Sequence, residues 1–182
     1  YRFDLEQWGL VTDKNQKSKD FWKEIGSSKI RDSKNFCSWD LSLEGAKAFN
    51  SLYRTSPSVY YFSFSTFATK KVGKSNYHRP DSKMLLILRP ASILIGKSND
   101  LDSTWNKNDG ICNTVSMGAP ASGSHGSEPT KMYNGIPEKG IWQKEAEINM
   151  NHHAIIGAHL SKKKSAEVLN IYKTHCKLLY TL

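Results

Sequence analysis

The spacing of apolar residues divides the chain into helix-like and strand-like stretches. Leu43, Ala46, Phe49, Leu52 and Tyr53 recur at helical spacing and predict a helix that begins at Ser42. Ser56-Pro57 breaks that pattern. Residues 59–66, Val-Tyr-Tyr-Phe-Ser-Phe-Ser-Thr, are rich in β-branched and aromatic side chains and predict a strand with Tyr60, Phe62 and Phe64 on one face. Residues 67–83 are polar and predict a loop. Met84-Leu85-Leu86-Ile87-Leu88-Arg89 is a continuous apolar run flanked by Pro80 and Pro90, which predicts a strand buried on both faces rather than a helical turn. The Gly-, Ser- and Pro-rich residues 118–129 predict a surface loop, and residues 139–143 open a final extended segment. Val168, Leu169, Tyr172, Cys176 and Leu179 mark one face of a closing helix over residues 162–180. Nearer the start, residues 1–10 form an amphipathic stub closed by Gly9, and residues 19–26 a short helix ended by Gly26.

Helix, strand, loop, strand, two polar loops and a helix is the order expected of the second half of an α/β sheet with helices on both faces, read here as one domain over residues 1–182. Composition changes this little, because 38% apolar and 24% charged residues are ordinary for a globular chain. No run of about 18 apolar residues occurs, so no transmembrane segment is predicted, and Tyr1-Arg2-Phe3-Asp4 does not read as a secretory leader. The net charge of +9 is carried by lysines dispersed among Ser and Asn. That pattern favours a solvated basic surface, weakly drawn to anionic interfaces, over a nucleic-acid-binding module. Lys162-Lys163-Lys164 sits where the last helix begins and where the helix dipole disfavours cations, which predicts a loop face there. Cys37, Cys112 and Cys176 have neither the number nor the spacing of a disulfide framework or zinc knuckle, and read as buried thiols.

The candidate chemistry lies in Asn108-Asp109-Gly110-Ile111 and in Asn149-Met150-Asn151-His152-His153-Ala154-Ile155-Ile156-Gly157. An Asp on one loop followed downstream by a His on another is the order in which an α/β-hydrolase presents the last two members of a Ser-Asp-His triad. The serine turn G-x-S-x-G does not occur; Gly96-Lys97-Ser98 and Gly123-Ser124-His125-Gly126 have the wrong spacing. The chain therefore reads as the acid-and-base half of a hydrolase whose nucleophile-bearing half is absent, inactive by itself.

These residues carry a resemblance. Tyr1-x-Phe3-x-Leu5-x-Gln7-Trp8-Gly9-Leu10, Asp40-Leu41-Ser42-x-x-Gly45-Ala46, Ser56-Pro57 with Tyr60-Tyr61-x-Ser63-Phe64-Ser65-Thr66, Asn108-Asp109-Gly110-Ile111-x-Asn113-Thr114-Val115-Ser116-Met117, Lys139-Gly140-x-Trp142 and His152-x-x-Ile155-Ile156-Gly157 follow one another in this order. Together they resemble the C-terminal half of the large secreted bacterial triacylglycerol lipases of the staphylococcal and thermophilic Bacillus type. The resemblance implies that Asp109 is the triad acid and His152 the base, His152 being preferred to His153 because Ile155-Ile156-Gly157 keeps the family spacing. It implies acylglycerol or phospholipid esters at a lipid–water interface as substrates, and secretion as the location. His78, His125, His159 and His175 read as surface or internally satisfied groups.

The resemblance also implies metals, and here the sequence departs from it. Related lipases hold calcium with a Glu and an Asp after the triad His, a Pro beside the latter, and a glycine carbonyl; the matching positions are Ala154, His159, Leu160 and Lys83. Alanine brings no side-chain oxygen to a hard cation, so no calcium site is expected, and Lys83 is placed to put an ammonium where the ion would sit. The family's zinc-ligating Asp matches Asn35, with Asp32 nearby, so zinc is not expected either. The alternative to an ester hydrolase is a non-catalytic remnant or interaction protein, should residues 1–182 be the whole product.

Overall fold

The computed structural model describes Trp39 and residues 42–97, 102–122 and 126–182. The stub at residues 1–10, the helix at residues 19–26, and Asp32, Asn35, Cys37 and His125 lie outside the described residues. The chain divides into two compact units, Tyr1–Phe49 and Asn50–Leu182. Ser42 of the first unit opens helix α1 (Leu43–Leu52), whose last three residues begin the second. Its Oγ accepts the N–H of Gly45 at 3.0 Å and donates to the Trp39 carbonyl at 2.7 Å, so an otherwise unpaired helix-start donor is satisfied. Gly45 is required there, because a Cβ at that position would stand 1.9 Å from the Trp39 oxygen.

The second unit is α/β. Strands β1 (Tyr61–Ser63), β7 (Thr130–Met132) and β8 (Trp142–Lys144) form a parallel sheet in the order β1-β8-β7, with Phe62 and Lys131 both opposite Gln143. Strands β2 (Thr66–Phe67) and β9 (Ile148–Asn149) pair in parallel. Two antiparallel hairpins complete the sheets, β3 (Thr69–Lys71) with β4 (His78–Pro80), and β5 (Ala121–Ser122) with β6 (Gly126–Ser127). Helix α2 (Arg89–Ile95) follows a single 3-10 turn at Leu86–Leu88, and α3 (Lys162–Tyr180) closes the chain. In the central strand the buried Gln143 amide is satisfied by one partner, accepting from the Glu138 N–H and donating to the Glu138 carbonyl, each at 3.0 Å. A polar group so paired avoids the cost of burial without hydrogen bonds.

Helix α3 forms over the residues the pattern predicts, but its inward face is different. Val168 is buried, and the His175 ring sits edge-on to Phe62 and Phe64, at 5.2 and 5.0 Å between centroids. Leu169, Tyr172 and Leu179, expected inside, are exposed. The turn at Lys162-Lys163-Lys164 is helix and not a loop face: Ser161 caps it by accepting the Lys164 N–H at 3.5 Å, which outweighs the unfavourable dipole for solvated lysines. Cys112 is half-buried and Cys176 exposed, so neither is the buried thiol expected.

The largest correction concerns residues 84–89, which are not a strand. Pro90 stands in the first turn of α2, where its fixed φ suits a helix start and its missing N–H costs nothing, so it promotes a helix instead of excluding one. Met84 and Leu88 are buried with Ala68 in a small core, while Leu86 and Ile87 are 78% and 79% exposed. Residues 59–66 also divide, into a bridge at Tyr60, β1 and the start of β2, instead of running as one strand. The polar residues 67–83 hold the β3–β4 hairpin.

Candidate active site

Asp109 and His152 meet because β2 and β9 are neighbours. Thr66 is paired with Ile148, and the chain leaving β9 turns back so that the His152 N–H donates to the Asp109 carbonyl at 3.0 Å. The side chains meet at the same point, His152 Nδ1 standing 3.0 Å from Asp109 Oδ2. Asp109 is 1% exposed and the His152 side chain 38% exposed. The carboxylate is thus sealed and the imidazole is reachable.

The Asp109 loop is shaped by its own side chains. Buried Asn108 accepts the Gly110 N–H at 3.0 Å and donates to the carbonyls of Ser92 and Asn106 at 3.1 and 3.0 Å, tying the loop to α2. Its backbone N–H donates to Thr69 Oγ1 at 3.2 Å, and its carbonyl accepts from the Ala68 N–H at 2.9 Å. Gly110 takes φ +108°, and a Cβ there would lie 2.7 Å from Met84 Sδ and 2.9 Å from Leu88 Cβ. Asp109 Oδ1 accepts the N–H groups of Ile111 and Cys112 at 3.0 and 2.8 Å, while Oδ2 accepts the Thr66 hydroxyl at 2.8 Å and faces His152. Both carboxylate oxygens are thus hydrogen-bonded within the protein. With Nδ1 engaged by an anion, Nε2 is the ring nitrogen left for a reacting group, and the pair has the form of a general base with its orienting acid.

His153 does not take that place. Its N–H donates to Asn151 Oδ1 at 3.1 Å, and its ring stands 6.1 Å from that of His152. His159 is exposed, with φ +57°. His78 shares a 3.3 Å contact with Thr69 Oγ1, and burial, followed by the charges of Lys107 and Lys71, lowers its pKa below the ordinary imidazole value. Thr66, Asn108 and Asn151, which stand in the quoted strings with no role assigned, and Cys112, expected to be a buried thiol, support the site. Burial, then the adjacent Asp109 charge, pushes the Cys112 thiol pKa up.

Lys83, Ala154, His159 and Leu160 line one cavity of about 230 Å³ together with Asn149 and Asn151. Lys83 Nζ donates to the Asn149 carbonyl at 3.2 Å, and Asn151 Nδ2 donates to the Lys83 carbonyl at 2.7 Å. Asn151 Oδ1 in turn accepts the N–H groups of His153 and Ala154 at 3.1 and 3.2 Å.

A family model, the lipase-like C-terminal domain, matches residues 1–180. The chain belongs to that family. It is 29% identical over 174 residues to lipase 2 of Staphylococcus aureus, covering 92% of this chain and 24% of that protein. It is 30% identical over 141 residues to S. aureus lipase 1 (strain Mu50 / ATCC 700699), covering 78% of this chain and 20% of that one. The chain therefore spans between a fifth and a quarter of the length of these relatives. Among solved structures, Staphylococcus hyicus lipase superposes with a TM-score of 0.75 at 27% identity, covering 96% of this chain and 44% of that one. EstA from Clostridium botulinum gives 0.70 at 31% identity, covering 91% and 40%.

Proposed function

We propose that the whole protein is a carboxylic ester hydrolase of the lipase type, in which Asp109 and His152 are the acid and base of a Ser-His-Asp mechanism and the serine comes from outside residues 1–182. The observation that carries this reading is the hydrogen bond between a sealed, fully solvated-by-protein carboxylate and a reachable imidazole. His152 Nε2 accepts the serine proton as that oxygen attacks the ester carbonyl, then returns it to the departing alcohol. Asp109 stays ionised, fixes the tautomer in which Nδ1 carries the proton, and stabilises the imidazolium. The substrates are long-chain acylglycerols, with phospholipid esters attacked in the same way, at a lipid–water interface outside the cell. No helix among the described residues is long and apolar enough to cross a membrane.

The reading includes no resident metal. At the position where the resemblance calls for calcium, the Lys83 ammonium already bonds the Asn149 carbonyl, Ala154 contributes only a methyl group, and a divalent cation would face a like charge. None of the residues matched to the family's ligands brings a carboxylate to the ion, although Glu167 lines the same cavity.

The test is a fluorophosphonate probe, which captures an activated serine, applied to the complete protein with ester turnover measured in parallel. A single adduct is expected, with both labelling and turnover lost in His152→Ala. Retained turnover in that variant refutes the assignment.

A further inference from the structure

Cys112 is a ligating side chain at this site that acyl transfer does not use. Its Sγ, an Asp109 carboxylate oxygen and a His152 ring nitrogen all lie within 4.8 Å of one another. The backbone that carries the sulfur is fixed. The Cys112 N–H donates to Asp109 Oδ1 at 2.8 Å and the Cys112 carbonyl accepts the Asp109 N–H at 3.1 Å, so thiol and carboxylate belong to one closed turn. Around tetrahedral zinc, bonded to sulfur at about 2.3 Å and to nitrogen or oxygen at about 2.0–2.2 Å, such ligand atoms stand roughly 3.3–3.6 Å apart. A contraction of up to about 1.2–1.5 Å converts the cluster into a three-ligand site. Cys112 and His152 are only partly covered, so an ion has a route in and water can supply the fourth ligand.

We propose that Asp109, Cys112 and His152 form a binding site for a thiophilic divalent cation, and that zinc held there reversibly inhibits the hydrolase. The inference rests on the proposed role of His152 as base. Zinc takes the His152 nitrogen facing Asp109, so the proton of the neutral imidazole moves to Nε2. The Cys112 thiol releases its proton to solvent as the sulfur–zinc bond forms. One proton leaves for each ion bound and no electrons are transferred. Nε2 then carries a hydrogen and no longer accepts one from serine, while Asp109 is drawn into the ion's coordination. This site differs in residues and in consequence from the structural zinc position matched by Asn35.

The experiment uses the complete protein, its Cys112→Val and His152→Ala variants, zinc, cadmium and a chelator. Zinc is expected to suppress ester turnover of the unsubstituted protein, with full recovery on chelation. Each turnover being normalised to its own metal-free value, Cys112→Val should need at least roughly tenfold to a hundredfold more zinc, since losing even a partner outside the coordination sphere lowers affinity on that scale. Cadmium supplies a readout that does not need activity: its thiolate charge-transfer band should titrate in the unsubstituted protein, lose one sulfur's intensity in Cys112→Val, and require higher cadmium in His152→Ala. Equal zinc sensitivity of the unsubstituted protein and Cys112→Val overturns the site while leaving the hydrolase reading intact. A protein without ester turnover whose cadmium band still depends on Cys112 and His152 retains the metal site and refutes the hydrolase reading.

Discussion

Thr66 donates its hydroxyl, at 2.8 Å, to the same Asp109 oxygen that faces His152. Thr66 is buried, and its own carbonyl accepts the Thr114 hydroxyl at 2.8 Å, so its position is set from both ends. A hydrogen bond to a buried carboxylate holds that group in place. Removing the donor leaves Oδ2 with His152 alone. Thr66→Val is therefore expected to lower kcat/KM for ester hydrolysis roughly tenfold to a hundredfold, from the ~1.5–3 kcal/mol of a hydrogen bond to a charged group. Thr66→Ser, which restores the hydroxyl, should recover most of the loss, and steady-state kinetics of the three proteins decides the matter.

Gly110 turns the chain directly after the acid, at φ +108°, with Met84 and Leu88 packed over it. An alanine there meets both a disfavoured backbone conformation and two close core atoms. Gly110→Ala should destabilise the fold by about 2 kcal/mol or more. Thermal unfolding of the complete protein would register this as a lower midpoint. An unchanged midpoint would mean that the turn has another conformation open to it.

Asp109 and His152 are legible as candidates because they sit in short polar strings whose order is chemical, whereas the scaffold that brings them together is not. Asp109 and His152 are far apart in sequence, and what joins them is the parallel pairing of Thr66 with Ile148, two residues per strand and too short for any periodicity to announce. Residues 84–89 differ from the expected strand because a short apolar run has no period of its own, and Pro90, which suits the first turn of a helix, does not exclude one. Leu86 and Ile87 then face outward, which no pattern of hydrophobicity predicts. For α3 the extent was plain but the inward face was not: His175, between Phe62 and Phe64, packs where Leu169 and Leu179 were expected. An imidazole ring buries as an aromatic, and a reading confined to aliphatic spacing passes over it.

Glu128 ties the start of the second unit to the sheet. It is buried, 2.5 Å from Arg54 Nε, and accepts the Thr55 N–H at 3.1 Å, while Trp142 of β8 donates to Thr55 Oγ1 at 3.1 Å. Hydrogen bonds from Thr55, its side chain first, together with the Arg54 charge, hold the Glu128 pKa below the ordinary carboxylate value against burial, which acts the other way. A carboxyl with a lowered folded pKa stabilises the fold above its unfolded pKa, and that contribution disappears as pH falls through the folded value. Glu128→Gln should accordingly lower the unfolding midpoint at neutral pH. The difference from the unsubstituted protein should shrink as the solution is taken below the ordinary carboxylate range. A difference independent of pH would show that the charge of Glu128 contributes nothing.

Lys83 holds the loop that carries His152 by two contacts of opposite sense: its ammonium donates to the Asn149 carbonyl before the histidine, and its carbonyl accepts from Asn151 beside it. Because Asn151 also receives the N–H groups of His153 and Ala154, the backbone on both sides of His152 is referred to Lys83. The carbonyl contact survives any side-chain change, so Lys83→Met isolates the ammonium. Its bond is exposed to solvent, which limits it to the ~0.5–1.5 kcal/mol of an ordinary net hydrogen bond, or roughly a two- to tenfold loss of turnover. Calcium should leave the unsubstituted protein unaffected, since the position it would take is already served by a cation covalently part of the chain. Turnover and unfolding midpoint, measured for both proteins with calcium and with a chelator, separate the cases. Equal turnover and stability in Lys83→Met would remove the ammonium from any positioning role, and a chelator-sensitive unsubstituted protein would return the site to a metal.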